Sequence, residues 1–128
     1  MGDAPRLKVA LEALRPGRGP AAWRAAWRLS NGGTGPVTVR KAWHPHGRFR
    51  SRRRAISLRI PAGASRTLEL ATRSDVAAGE VVENAFLILQ AVSARRRWRI
   101  LARFTLRGQT GAPPAVSLEA VDANAAAD

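Results

Sequence analysis

The alternation of apolar and polar positions is clearest in Val82–Arg107, which reads VENAFLILQAV, then SARRR, then WRILARFTLR. In its second half Trp98, Ile100, Ala102, Phe104 and Leu106 take every second position. Arg99, Arg103 and Arg107 fall between them, with Leu101 and Thr105. A period of two gives a strand with one apolar and one largely cationic face. The first half is apolar on both faces, Phe86 and Ile88 on one and Leu87 and Leu89 on the other, which suits the middle of a packed sheet. A central strand beside a half-exposed neighbour can organise an all-β domain. Ala85–Val92 is then buried either within one protomer or at the seam of a homo-oligomer.

The same alternation recurs along the chain. Leu7, Val9 and Leu11 predict a first strand near Leu7–Leu14, ended by RPGRGP. In AAWRAAWRLS, Trp23, Ala25, Trp27 and Leu29 share a face. Trp23 and Trp27 are also spaced i,i+4 and alanine favours helix, but the β-rich surroundings decide for a strand. Asn31–Gly35 is a turn, and Val37-Thr38-Val39 continues as a strand to Trp43. His44–Arg54 (HPHGRFRSRRR) is a loop by its Pro, Gly and charge. Ile56, Leu58 and Ile60 alternate and stop at Pro61-Ala62-Gly63. Thr67–Thr72 is a short strand with Leu68 and Leu70 facing the core, and Arg73–Glu80 is a loop. After GQTGAPP, Val116, Leu118 and Val121 mark a last short strand.

Seven or eight short strands with turn signals every 8–12 residues are the pattern of a sandwich or barrel. The stretch WRLSNGGTGPVTV resembles the strand, Asn-Gly turn and Pro-Val strand of bacterial immunoglobulin-like domains. IPAGASRTLEL resembles their Pro-x-Gly turn leading into a Leu-x-Leu strand. The likeness covers about Leu7–Val121. It implies an all-β, immunoglobulin-like antiparallel β-sandwich, in a class whose members serve as interaction or spacer modules, often on secreted proteins. The Cys pair of antibody-type domains is missing. The expected organisation is an N-terminal arm over 1–6, the sandwich over 7–121, and a disordered tail over 122–128.

At 128 residues the chain can bury a real core as one domain. No apolar run is long enough to span a bilayer, and MGDAPRLK has no signal-peptide core, so the expected setting is cytoplasmic. The absence of cysteine excludes disulfides, thiol catalysis and thiolate metal sites. The net charge of +13 changes the picture most. Of 22 basic residues 20 are Arg, and thirteen Arg or Lys separate Glu12 from Glu69 with no acid between. A GC-rich genome accounts for abundant Arg but not for the imbalance. Arg suits phosphate, carboxylate and aromatic faces, so the partners this allows are a polyanion, an acidic protein or an anionic surface.

Two clusters concentrate that charge. Arg48, Arg50, Arg52, Arg53 and Arg54 crowd RFRSRRR, and Arg95, Arg96 and Arg97 form a hairpin tip. Guanidinium groups packed this closely want counter-charge, though a solvated face is the ordinary alternative. At one end of a sandwich the two would form a single patch; at opposite ends they would not. His44 and His46 could place two imidazoles on one metal, but zinc wants three or four ligands, and the nearest acid in sequence is Glu69. The ordinary reading makes Trp43 and Phe49 core plugs at either end of a structured loop. A Ser–His–acid triad through Ser51 is formally open but has no motif around it. No GxSxG, P-loop or HExxH pattern occurs, so no enzyme and no cofactor are expected.

The sequence therefore supports a non-catalytic interaction or accessory module that docks an acidic protein partner through Arg-rich loops. The alternative is a sequence-nonspecific nucleic-acid binder using the same Arg surface, which needs both clusters on one face. A third reading puts a metal or an enzymatic role in the His44/His46 loop. Most of the seven aromatic residues are expected in the core.

Overall fold

Alternating segments of this kind cannot bury their apolar faces alone, and two sheets placed face to face solve the problem. The computed structural model, which describes residues 4–126, contains ten strands and no helix among them. They are β1 (Leu7–Pro16), β2 (Ala22–Asn31), β3 (Val37–Trp43), β4 (Pro45–His46), β5 (Phe49–Arg50), β6 (Arg54–Ile60), β7 (Ser65–Ser74), β8 (Val81–Ser93), β9 (Arg96–Arg107) and β10 (Ala115–Ala125). One antiparallel sheet runs β1-β2-β7-β5-β4 and the other β10-β9-β8-β3-β6. No helix of the described residues is long and apolar enough to cross a membrane.

β8 is the middle strand of the second sheet, paired with β9 and β3. Its inner residues Ala85, Leu87, Leu89 and Ala91 are buried, while Phe86 and Ile88 are half-buried on the outer face. β9 follows its alternation throughout: Trp98 to Leu106 are buried at every second position, and Arg99, Arg103 and Arg107 are exposed. In the first sheet Trp27, Leu29, Leu68 and Leu70 face this layer. The segment with helical spacing, Ala22–Asn31, is a strand because β1 and β7 pair with it on both sides. Pairing and burial on two edges outweigh the few tenths of a kcal/mol per residue by which alanine favours helix.

Three expectations need correction. The strand count is ten because the segment expected as a loop, His44–Arg54, folds a two-residue hairpin, β4–β5, against β7. The last strand is not short: β10 has eleven residues and runs to Ala125, and the Ala126 N–H donates to the Arg97 carbonyl at 3.0 Å. Backbone pairing to β9 orders a segment whose small side chains gave no periodic signal, so residues 122–125 of the expected tail belong to a strand. Residues 127 and 128 lie outside the described residues. Of the arm expected over 1–6, residues 4–6 are described, and the Arg6 carbonyl accepts the Gly32 N–H at 2.8 Å.

The connections are held by polar groups. Asn31 is buried, and its amide donates to the carbonyls of Gly35 (2.9 Å) and Ile60 (3.0 Å) while its Oδ1 accepts the Gly33 N–H (2.9 Å). One side chain thus ties the β2–β3 crossover to the end of β6. At the other end Gly108 packs on the β7–β8 loop. Its N–H donates to the Glu80 carbonyl and its carbonyl accepts the Gly79 N–H, both at 2.9 Å. A Cβ on Gly108 would sit 1.8 Å from the Ala77 carbonyl oxygen. The β8–β9 turn places Ala94 (φ 52°) and Arg95 (φ 62°) in the left-handed region without glycine.

Two stability predictions follow from these contacts. Gly108→Ala must move the β7–β8 loop and is expected to lose about 3 kcal/mol in urea unfolding. The double change Ala94→Asn/Arg95→Gly supplies the residues that a two-residue turn with positive φ favours, and should gain about 1–2 kcal/mol in the same assay.

Candidate functional site

β3 ends at Trp43, and the chain crosses from the second sheet to the first at His44, whose ring turns into the core at 1% exposure. The Trp27 indole N–H donates to His44 Nε2 at 2.9 Å. An indole only donates, so Nε2 is the unprotonated nitrogen and Nδ1 carries the hydrogen. Nδ1–H then donates to Thr72 Oγ1 at 3.1 Å, and the Thr72 hydroxyl donates to the Leu70 carbonyl at 3.1 Å. Phe49 and Phe104 pack on the same ring, with centroids 4.7 and 6.3 Å away. Burial pulls the His44 pKa down to about 3, because a charged imidazolium has no water or acid here.

Both nitrogens of His44 are therefore used inside the protein. His46 Nδ1 accepts the Arg48 N–H at 3.0 Å. Among the described residues no three His, Cys, Asp or Glu side chains gather to hold a metal ion. Ser51 Oγ accepts the main-chain N–H of His44 at 2.8 Å and does not meet its ring. The His44/His46 loop is built as a structural crossing.

Of the expected cationic loop, Arg48 is already paired. Its Nε donates to Asp75 Oδ1 at 2.9 Å, and its terminal nitrogens reach both Glu80 carboxylate oxygens and the Asp75 carbonyl. Glu80 also accepts the Ala77 N–H at 3.0 Å. The Arg48 hydrogen bond, with the Ala77 N–H second, holds the Glu80 carboxyl below its usual pKa; the Glu80 and then Asp75 hydrogen bonds raise that of Arg48. Arg48 clamps the β4–β5 hairpin to the β7–β8 loop.

The other four arginines border a groove of about 1070 Å³ along β7. Arg50 ends β5, Arg52 and Arg53 follow it, Arg54 opens β6, Arg24 comes from β2, Arg73 from β7, and Arg18 from the β1–β2 turn. Its apolar lining includes Trp23, Leu70 and Ala55. Counter-charge is sparse: Arg24 lies 3.6 Å from Glu69, and Arg50 lies 3.9 Å from Asp75. Arg53 stacks over Trp43 at 4.3 Å, and Arg54 donates to the Glu69 carbonyl at 3.1 Å. A smaller hollow of about 300 Å³ continues past Arg54 along Thr67–Glu69.

Arg95–Arg97 is elsewhere. The hairpin tip closes at the Ser93 end of β8, whereas Arg48 grips the loop that enters its Val81 end. Thirteen extended residues separate those ends by roughly 40 Å. Arg96 stacks over Trp98 at 5.3 Å. Arg48 and the tip thus lie at opposite ends of β8, and Arg54, level with Ala42 and Leu89, stands between them. Arg18, Arg24 and Arg73, which complete the groove, were not singled out from sequence: alternation places Arg24 on the polar face of its strand but cannot say that β7 lies beside it. Of the aromatic residues, Trp27, Trp43, Phe49, Trp98 and Phe104 are buried, and Trp23 and Phe86 are half-buried. Trp43 caps the outer face of its sheet beneath Arg53.

Set against models of protein families, curated proteins and solved structures, the chain matches none.

His44 predicts the acid limit of the fold. Its folded pKa of about 3 lies below the unfolded value of 6.5, so the unfolded chain takes up a proton that the folded one refuses. The stabilisation is complete above pH 6.5 and is lost as pH falls toward 3, at about 1.4 kcal/mol per pH unit. Urea unfolding at pH 7, 6 and 5 should show stability falling, by about half that slope from pH 7 to 6 and close to all of it from pH 6 to 5. His44→Phe should flatten it while lowering stability at pH 7, because the Trp27 N–H loses its acceptor.

Proposed function

We propose that this chain is a non-catalytic interaction module of immunoglobulin-like topology, and that it docks an acidic partner in the arginine-lined groove beside β7. The topology is supported by the strand order, with β1, β2 and β7 in one sheet and β3, β8 and β9 in the other. One observation carries the docking assignment. Seven arginines from four separate segments converge on one groove that contains no carboxylate of its own lining. Their ion pairs are with exposed acids at its margin, and exposed pairs hold little energy. A partner's carboxylates would add bidentate contacts on a partly dewatered, Trp-containing floor.

A second reading is favoured by a different surface. On the outer face of the second sheet Lys41, Arg99 and Arg103 surround Ile88 and Leu101 in adjacent registers. A sequence-nonspecific nucleic-acid binder would use this face, with affinity from counterion release.

The two readings separate in a salt titration of binding to polyglutamate and to a generic single-stranded RNA. Polyglutamate is expected to bind, more weakly as salt rises, and Arg52→Glu/Arg53→Glu should weaken it at least tenfold. Arg95→Glu/Arg96→Glu, on the β8–β9 turn outside the groove lining, should change it less than twofold. RNA binding insensitive to Arg52→Glu/Arg53→Glu but lost in Arg99→Glu/Arg103→Glu would move the assignment to the outer face.

A further inference from the structure

The groove has a second property besides charge: it runs along an unpaired strand edge. The Ser74 N–H donates to the Ala21 carbonyl at 2.9 Å, so the main chain of Ser74 points toward β2. Antiparallel strands alternate, and the β2–β7 register is regular from Ala22↔Arg73 to Ser30↔Ser65. Thr72, Leu70 and Leu68 therefore bond to β2, whereas Arg73, Ala71, Glu69 and Thr67 point their N–H and C=O groups away from it. Two contacts agree: Arg73 pairs with Arg50 of β5, and Arg54 reaches the Glu69 carbonyl.

β5 fills this outward edge only opposite Ser74 and Arg73. There the chain departs, because Ser51 is held to His44, N–H to carbonyl at 3.0 Å and Oγ to N–H at 2.8 Å. Beyond that point β2 is the only strand among the described residues whose main chain pairs with β7, and β6 stands across the smaller hollow from it. The two hollows continue along the same line, bordered by Leu70–Arg73 and then by Thr67–Glu69.

Two outer edges of the sandwich, β1 and β10, are blunted. β1 carries a bulge at Glu12 and ends in Pro16, and β10 carries a bulge at Glu119. Bulges and charges of this kind discourage strand addition. The β7 edge carries no bulge between Thr67 and Ala71, and its single charge there is Glu69.

We propose that the groove takes an extended acidic peptide, which adds to the free edge of β7 as a strand continuing the line of β5. The inference rests on the acidic-partner reading above. It goes further in naming the partner's conformation and the main-chain groups that hold it. The added strand lies about 4.8 Å from β7 and bonds to Ala71, Thr67 and the Glu69 N–H. Its residues alternate in direction. Those turned inward meet Trp23 and Leu70, and those turned outward meet Arg24 and the arginines of the β5–β6 segment. Arg54 leaves the Glu69 carbonyl and pairs with a carboxylate of the peptide. A second copy of this chain is a poor occupant, since each copy brings a net charge of +13. A nucleic acid presents phosphate acceptors along its backbone but no row of N–H donors at strand spacing for the outward carbonyls.

The test uses the whole chain and a labelled, end-capped peptide of alternating Val and Glu, followed by fluorescence anisotropy. Two further peptides carry N-methyl groups on alternate amides, one on the Val set and one on the Glu set. Only one set can face β7, so one methylated peptide should lose at least tenfold in affinity and the other should bind within about twofold of the parent. Ala71→Pro removes an outward N–H at an edge position where proline leaves the β2 ladder intact, and should weaken the parent peptide to a similar degree. If both methylated peptides bind like the parent, or both weaken equally, strand addition is wrong and docking by charge alone stands. If neither this peptide nor polyglutamate binds at low salt, the acidic-partner reading falls with it. Single-stranded RNA binding in place of the peptide would overturn both in favour of the polyanion reading.

Discussion

A neutral histidine buried between the two sheets is the constraint on which the rest of the molecule depends. His44 stands where the chain leaves β3 and enters the opposite sheet, and its two nitrogens are bound by Trp27 of β2 and Thr72 of β7. Phe49 packs against it from β5. Three strands of the first sheet are thus referred to one residue at the end of a strand of the second. Chained hydrogen bonds in a dry surrounding are strong when every member is satisfied, and here Trp27, His44, Thr72 and the Leu70 carbonyl all are. The adjoining Ser51 hydroxyl, bound to the His44 N–H, turns the chain back out after two residues of β5. The open edge of β7 follows directly from that short excursion.

The arginines fall into distinct physical states despite their similar sequence surroundings. Arg48 is neutralised by two acids and joins a hairpin to a loop. Arg53 and Arg96 lie on tryptophan rings, where a weakly hydrated guanidinium shields apolar surface from water. Arg54 satisfies a strand carbonyl. The remainder around the groove face solvent with little counter-charge, and this leaves a concentrated positive field over a floor containing Trp23 and Leu70. Structural contacts and solvent-facing charge are thus divided within a single run, RFRSRRR. The division depends on which neighbours each side chain finds across the sandwich.

The fold was largely legible from the chain itself. Alternation alone determined the inner faces of β2, β7 and β9, because a residue's face in a regular strand depends on its parity; in β3 a bulge at Arg40 breaks the parity and turns Ala42 inward. Asn31 and the glycines after it marked a true turn for a local reason, the reach of a short amide to its own backbone. Phe49 was expected as a core plug and is one, whereas Trp43, expected likewise, covers the outer face of its sheet beneath Arg53. What the chain could not determine was lateral order: which strand lies beside which, and where an edge is left unpaired. β4 and β5, two residues each, are strands only because β7 offers them a partner, and β10 extends to Ala125 only because β9 does. The distance between Arg48 and Arg95–Arg97 was likewise decided by the direction of β8. The convergence of Arg18, Arg24 and Arg73 on the Arg50–Arg54 segment belongs to tertiary structure for the same reason. Side-chain parity is a property of one strand, but a groove is a property of the space between several.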